Sequence, residues 1–168
     1  NKARGIGISS AFALRALLRS LAGITLPYGG ESVFMSASEE QAEHIITYIA
    51  EYWRQIKDIR EISNSVSVMR SGKGFYSFSN NTSIFSIPNK PAAMRTYHGE
   101  LYLDEFAHYQ STDKAVMTAS TGIISLGGSI IPFSTPFGER GEFFRLWKKD
   151  KRYRKMKLPY TVCKRPAY

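Results

Sequence analysis

The chain has a single cysteine, Cys163. No internal disulfide can form, and a reducing compartment is the default expectation. No apolar run approaches the roughly 18 residues that a membrane helix needs, and the amino end is polar and carries no signal-peptide pattern. None of the three histidines, His44, His98 and His108, stands at zinc-ligand spacing from another or from Cys163. There is no internal repeat and no low-complexity linker. Acidic residues are scarce in one region. From Arg145 to the end there are ten Lys/Arg and one acid, Asp150, a balance of +9 that equals the net charge of the whole chain. Residues 1–144 carry 13 basic and 13 acidic side chains and are neutral. A cationic end of this kind suits a polyanion, whether DNA, RNA or an anionic lipid surface. The same run would also serve as a solvated helix end or a linker.

What is present is enough for one folded domain. The 168 residues include 43% apolar and 13% aromatic side chains, which can build a sizeable core. Helical spacing of apolar residues marks 9–23, with a glycine at its end, and 38–59, where Ser38 and Gln41 form a capping pair. Further helices are expected at 112–124 and 141–155. Strands are expected at 31–38, 65–69, 100–104 and 129–135, and a hairpin with an Asn-Asn turn at 74–88. Strands alternating with helices indicate an α/β fold, a mostly parallel sheet covered on both faces.

Three places could carry chemistry. The strand in "YHGELYLDEFAHY" ends in two acids, Asp104 and Glu105. Ligands of α/β sheets gather at carboxyl ends of strands. One carboxylate there can hold Mg²⁺, and its neighbour can orient and deprotonate an attacking water. The simpler reading is a strand running out into a polar turn. The segment "KARGIGISS" (2–10) leads into a helix, and its backbone N–H groups can cradle phosphate. Ser9 or Ser10 can offer a hydroxyl to Mg²⁺. Where the usual G-x-x-x-x-G-K-[ST] loop has lysine, this one has Ile8, and the nearby cations are Lys2 and Arg4 at the loop's start. A flexible Gly-rich amino end is the alternative. In "PFSTPFGERG" (132–141), Ser134 and Thr135 stand at a strand tip, where hydroxyls can sense a γ-phosphate.

Taken in order, "KARGIGISSAFAL", "VFMSASEEQA", "RTYHGELYLDEFAH" and "FSTPFGERGEFFRLW" resemble the ATPase domain of the large terminase subunit, the DNA-packaging motor of tailed bacteriophages and related viruses. They resemble its deviant Walker A, the strand and helix that follow, Walker B with its catalytic glutamate, and the coupling motif. The resemblance implies a P-loop NTPase fold of the ASCE type, with the hairpin near 74–88 as an insertion. It implies an ATPase core over 1–147 and a basic segment, 148–168, leading to a subdomain or nuclease. ATP and Mg²⁺ are the implied cofactors. Lys2 and Arg4 would neutralise β- and γ-phosphates, Gly5 and Gly7 would let the backbone approach, and Ser9, with Ser10 beside it, would serve Mg²⁺ and phosphate. Asp104 would hold Mg²⁺ through water and Glu105 would activate the attacking water. Ser134 and Thr135 would couple hydrolysis to motion. Arg95 is the candidate arginine finger acting on a neighbouring subunit, and Arg140 a second candidate.

Implied partners are double-stranded DNA, further copies in a ring, the portal and the small terminase subunit, in the host-cell cytoplasm and without a membrane. Two departures bear on the expectation. The sequence opens at the phosphate loop, whereas the family has a β-strand before it, lying beside the strand at 129–135. The family's nuclease also has no counterpart here. The chain alone is therefore expected to bind ATP poorly. A helicase-like motor, or a basic nucleic-acid-binding or assembly domain with a degenerate nucleotide site, are the competing readings.

Overall fold

The computed structural model describes residues 7–24, 30–159 and 161. Six strands form one sheet: β1 (Glu31–Ser36), β2 (Val68–Gly72), β3 (Phe75–Phe78), β4 (Ser83–Pro88), β5 (Gly99–Asp104) and β6 (Ser129–Phe133), in the order β2-β3-β4-β1-β5-β6. The run β4-β1-β5-β6 is parallel, and β2 and β3 extend it antiparallel. Helices α1 (Ile8–Leu21) and α2 (Glu39–Ile56) pack on one face. After a single turn, α3 (Arg60–Ser63), the chain enters β2. The other face is covered by α4 (Asp113–Ser125) and α5 (Gly141–Lys148).

Period-two alternation along the strands produces two cores. Phe34, Tyr102 and Phe133 point toward Ala13, Leu17, Ile45 and Ile49 of α1 and α2. Val33, Met35, Leu101, Leu103 and Ile130 point toward Val116, Ile123, Phe143 and Leu146 of α4 and α5. All six residues of β5 are buried, including the two acids Glu100 and Asp104 near its ends. The central strands sit close together where β5 begins. Gly99 has φ 121, and a Cβ there would stand 2.2 Å from the Glu31 carbonyl oxygen.

The α/β fold with helices on both faces is the expected one. The hairpin at 74–88 is present as β3 and β4, and the structure adds that β4 pairs with β1 along its length, from Glu31–Ser83 to Ser36–Pro88. Its turn has Asn81 at φ 62. Asn80 Nδ2 and Thr82 Oγ1 both donate to the Ser20 carbonyl near the end of α1, at 2.7 and 3.1 Å, beside the Gly23 N–H that the same oxygen accepts at 3.1 Å. Most element bounds differ from expectation by one to three residues, and one differs by more. β2 starts at Val68 rather than 65. The basic helix ends at Lys148 rather than 155, because the Asp150 carboxylate accepts the Arg152 backbone N–H at 3.0 Å and its guanidinium at 2.6 Å. That local bond offers the backbone an alternative to another helical turn. The described sheet ends at β6. Among those residues no helix is long and apolar enough to cross a membrane.

Candidate active site

Helix α1 lies along β5 and meets its even-numbered side chains in three places. Ser9 Oγ donates to Asp104 Oδ1 at 3.0 Å. The Phe12 ring packs on Tyr102, centroids 5.5 Å apart, and on Phe133 at 4.7 Å. Arg15 forms an ion pair with Glu100, its Nη2 donating to Oε1 at 3.1 Å, and also bonds the Tyr102 hydroxyl. Residues 9, 12 and 15 follow one helix face, and 104, 102 and 100 follow one strand face. Burial alone would raise the Glu100 carboxyl; the hydrogen bonds from Arg15 and Tyr102 and the charges of Arg15 and Arg19 hold it below the usual carboxylate range. Burial and the neighbouring carboxylate raise the Tyr102 phenol well above its ordinary value.

The twin acids divide at the strand tip. Asp104 closes β5 on the α1 face, and Glu105 follows in the left-handed region at φ 54. Glu105 Oε2 accepts three bonds: from Ser134 Oγ at 3.1 Å, from the Thr135 backbone N–H at 3.0 Å and from Thr135 Oγ1 at 3.1 Å. Ser134 and Thr135 are themselves buried, just past the end of β6. The register Asp104–Phe133 brings the two strand tips side by side. Acids and hydroxyls 30 positions apart thus share one site.

Gly7 caps α1 in the left-handed region at φ 73, with open space where a Cβ would be. Lys2, Arg4 and Gly5 lie outside the described residues. Ser9 and Ser10 part company: the Ser10 hydroxyl bonds the Tyr52 hydroxyl of α2, so only the Ser9 side chain is brought to the acids. Arg95 is exposed on a 3-10 turn, Pro91–Thr96, just before β5 begins. β5 is six residues long, roughly 20 Å, so Arg95 lies toward the end of the strand opposite Asp104 and Glu105. Arg140 is exposed near the acids' end, its guanidinium 4.6 Å over the Phe137 ring.

Mg²⁺ suits this donor set. A hydroxyl and a carboxylate are the hard oxygen ligands it takes, and it keeps waters and substrate oxygens rather than demanding a protein cage. Among the described residues no group of three or more His, Cys, Asp or Glu forms such a cage. Ser36 adds a polar atom that fits. It lies one step beyond the last β1–β5 pair, Met35–Leu103, on the Asp104 face, and its hydroxyl is buried without a hydrogen-bond partner among the described residues. A cavity of about 930 Å³ lies elsewhere: it runs along β6 between Ile8, Phe12, Ile131, Met117 and Tyr153.

Three features went unread in the sequence. His108, three residues past Glu105, has Nε2 2.9 Å from Thr135 Oγ1 and its ring 4.6 Å from Phe137. Asp113 is buried and accepts the Glu142 backbone N–H at 2.7 Å, which ties the start of α4 to the start of α5. The Arg15–Glu100 pair spans 85 positions. No local spacing signals any of these contacts; only the acid-to-hydroxyl ordering of the motifs pointed to the site.

No protein-family model matches the chain, and no curated protein does. Solved structures do. The large terminase ATPase domain of Thermus phage P74-26 superposes with a TM-score of 0.62 at 17% identity, over 85% of this chain and 60% of that one. The large terminase of bacteriophage HK97 superposes at 0.61 and 19% identity, over 88% of this chain and 31% of that one. The chain thus spans about 60% of the first and a third of the second. The fold of this protein is that of the ATPase domains of phage large terminases.

Proposed function

We propose that the chain is the ATP-hydrolysing core of a viral DNA-packaging terminase, a motor that moves double-stranded DNA into a capsid. The observation that carries this reading is the Ser9–Asp104 hydrogen bond. It joins the helix after a glycine loop to the first of two acids at a strand's carboxyl end, the arrangement that a magnesium–triphosphate substrate needs. Mg²⁺ would be held by the Ser9 hydroxyl and by Asp104 through water, and would neutralise charge on the phosphates. Glu105 takes the proton of the attacking water as its oxygen bonds to the γ-phosphorus and ADP leaves. Ser134 and Thr135 fix the Glu105 carboxylate at the tip of β6, so a change at the γ-phosphate is felt in the segment that follows. Lys2 and Arg4 supply cations to the phosphates. Arg95, remote from its own chain's acids, suits contact with a neighbouring copy in a ring, and Arg140 is the second such candidate. Double-stranded DNA, the portal and the small terminase subunit are the partners of this role, in the host-cell cytoplasm.

The test is steady-state ATP turnover of the complete protein, alone and with DNA, against Glu105→Gln. That substitution keeps the shape and removes the base, and is expected to lower turnover by roughly 10²–10⁴-fold. Unchanged turnover in Glu105→Gln would falsify the assignment of the base.

A further inference from the structure

The geometry points to His108 as a positioning residue for the hydrolytic step: it fixes the Thr135 hydroxyl so that Thr135, in turn, fixes the Glu105 carboxylate. The inference rests on the reading of Glu105 as the base.

Thr135 has one hydroxyl proton and two polar neighbours within bonding distance, Glu105 Oε2 at 3.1 Å and His108 Nε2 at 2.9 Å. A carboxylate is the stronger acceptor, and a bond to it is shorter and stronger than a neutral one. The same Oε2 already accepts the Thr135 backbone N–H at 3.0 Å, which orients this residue toward it. The hydroxyl proton therefore goes to Glu105. The Thr135 oxygen then receives the remaining bond, so the imidazole presents an N–H at Nε2. The result is a directed chain, His108 to Thr135 to Glu105, in which each donor polarises the next.

The His108 ring is held from its other side. It packs at 47° on Phe137, and Phe137 carries the Arg140 guanidinium on its ring at 4.6 Å. His108 is only part-buried, Nε2 stands 3.9 Å from Glu105 Oε2, and it is three residues from Glu105 through a 3-10 turn. Its place thus depends on both the strand tip and the 136–140 segment. Without it the Thr135 oxygen loses its donor, and of the three bonds to Glu105 Oε2 the one from the Thr135 hydroxyl is no longer held in direction. Outer partners of this kind act on the rate of the chemical step more than on substrate binding.

The experiment has two arms. In the nucleotide-free complete protein, ring-nitrogen chemical shifts of His108 should report the Nε2–H tautomer, and Thr135→Val should abolish that preference. A dominant Nδ1–H form in the parent protein overturns the inference without reference to catalysis. In the second arm, His108→Phe keeps the ring contact and loses the donor, whereas His108→Gln keeps a donor near the Nε2 position. His108→Phe is expected to lower kcat roughly tenfold, with KM for ATP changed by less than about twofold, and His108→Gln to stay within about threefold of the parent. Equal turnover in Phe and parent, or an equal loss in Phe and Gln, overturns it. If the parent protein hydrolyses no ATP, or Glu105→Gln hydrolyses it normally, the proposed function fails instead, and the tautomer measurement still decides the His108 contact.

Discussion

Ser9 and Asp104 are 95 positions apart in the chain, and Ser9 Oγ donates to Asp104 Oδ1 at 3.0 Å. One residue opens a helix and the other closes a strand, so the bond pins the amino end of α1 to the carboxyl end of β5. If both side chains serve one ion, they should behave as a unit. Ser9→Ala and Asp104→Asn should each weaken ATP binding in the presence of Mg²⁺ and change it little when the metal is chelated. The double variant should fall short of the sum, by roughly 0.5–3 kcal/mol of interaction energy, as expected for groups in contact. Calorimetric titration with and without Mg²⁺ checks this; full additivity would separate the two residues.

The Glu100 carboxyl, held below its ordinary value of 4.5 by Arg15, Tyr102 and Arg19 against the cost of burial, makes stability depend on pH. A carboxyl with a lowered folded pKa contributes stability that is complete above 4.5 and is lost as pH falls from there through the folded value. Glu100→Gln should cost roughly 1–3 kcal/mol at neutral pH, since Arg15 and Tyr102 lose a charged acceptor. The gap between parent and variant should narrow as pH drops below 4.5. Urea unfolding at a series of pH values measures it, and a gap that stays constant would mean that Glu100 does not titrate with folding.

Gly99→Ala should destabilise by roughly 2–5 kcal/mol, from a strained φ together with overpacking. The added carbon would meet the Glu31 carbonyl oxygen at 2.2 Å, and φ 121 is a region that alanine rarely adopts. The clash sets a Cβ, whose position no rotamer changes, against a backbone carbonyl. A melting temperature within a degree of the parent would show that β1 and β5 can separate at that point.

Lys151, Arg154, Lys155 and Lys157 are all exposed past the end of α5. Arg152 is not in this group, because its guanidinium is committed to Asp150 at 2.6 Å. If the segment contacts the DNA backbone, replacing those four by alanine should flatten the salt dependence of DNA affinity by up to about 0.9 log unit per lost phosphate contact. Arg152→Ala should act chiefly through the loss of the Asp150 turn. Fluorescence anisotropy across a salt series distinguishes them, and an unchanged slope would move the DNA contact elsewhere.

How much of this was legible in the sequence differs between elements. The acids at the end of "ELYLD" were legible because an apolar run buried on both faces has to end somewhere, and Asp104 and Glu105 mark where. The hydroxyls after "SIIPF" were legible for the same reason, although only the register Asp104–Phe133 brings the two tips together. The choice between Ser9 and Ser10 was not legible. Neighbours in a helix differ by about 100° in direction, and which one meets β5 depends on how α1 docks. His108 read as an incidental residue because its partner, Thr135, is 27 positions away. The end of α5 was not legible because "KKDKRYRK" is mostly Lys and Arg, which favour helix, and the stop comes from the Asp150 side chain bonding the Arg152 N–H.

The segment from Pro136 to Arg140 has a post at each end. Thr135 is bound to Glu105 on one side, and Glu142 is bound through its backbone to the buried Asp113 on the other. A strap tethered so closely at both ends can swing but not drift. Its exposed crest, which holds Glu139 and Arg140, can only trace an arc about the line joining those anchors. The sheet, through Glu105, and α4, through Asp113, thus set between them where that crest can go.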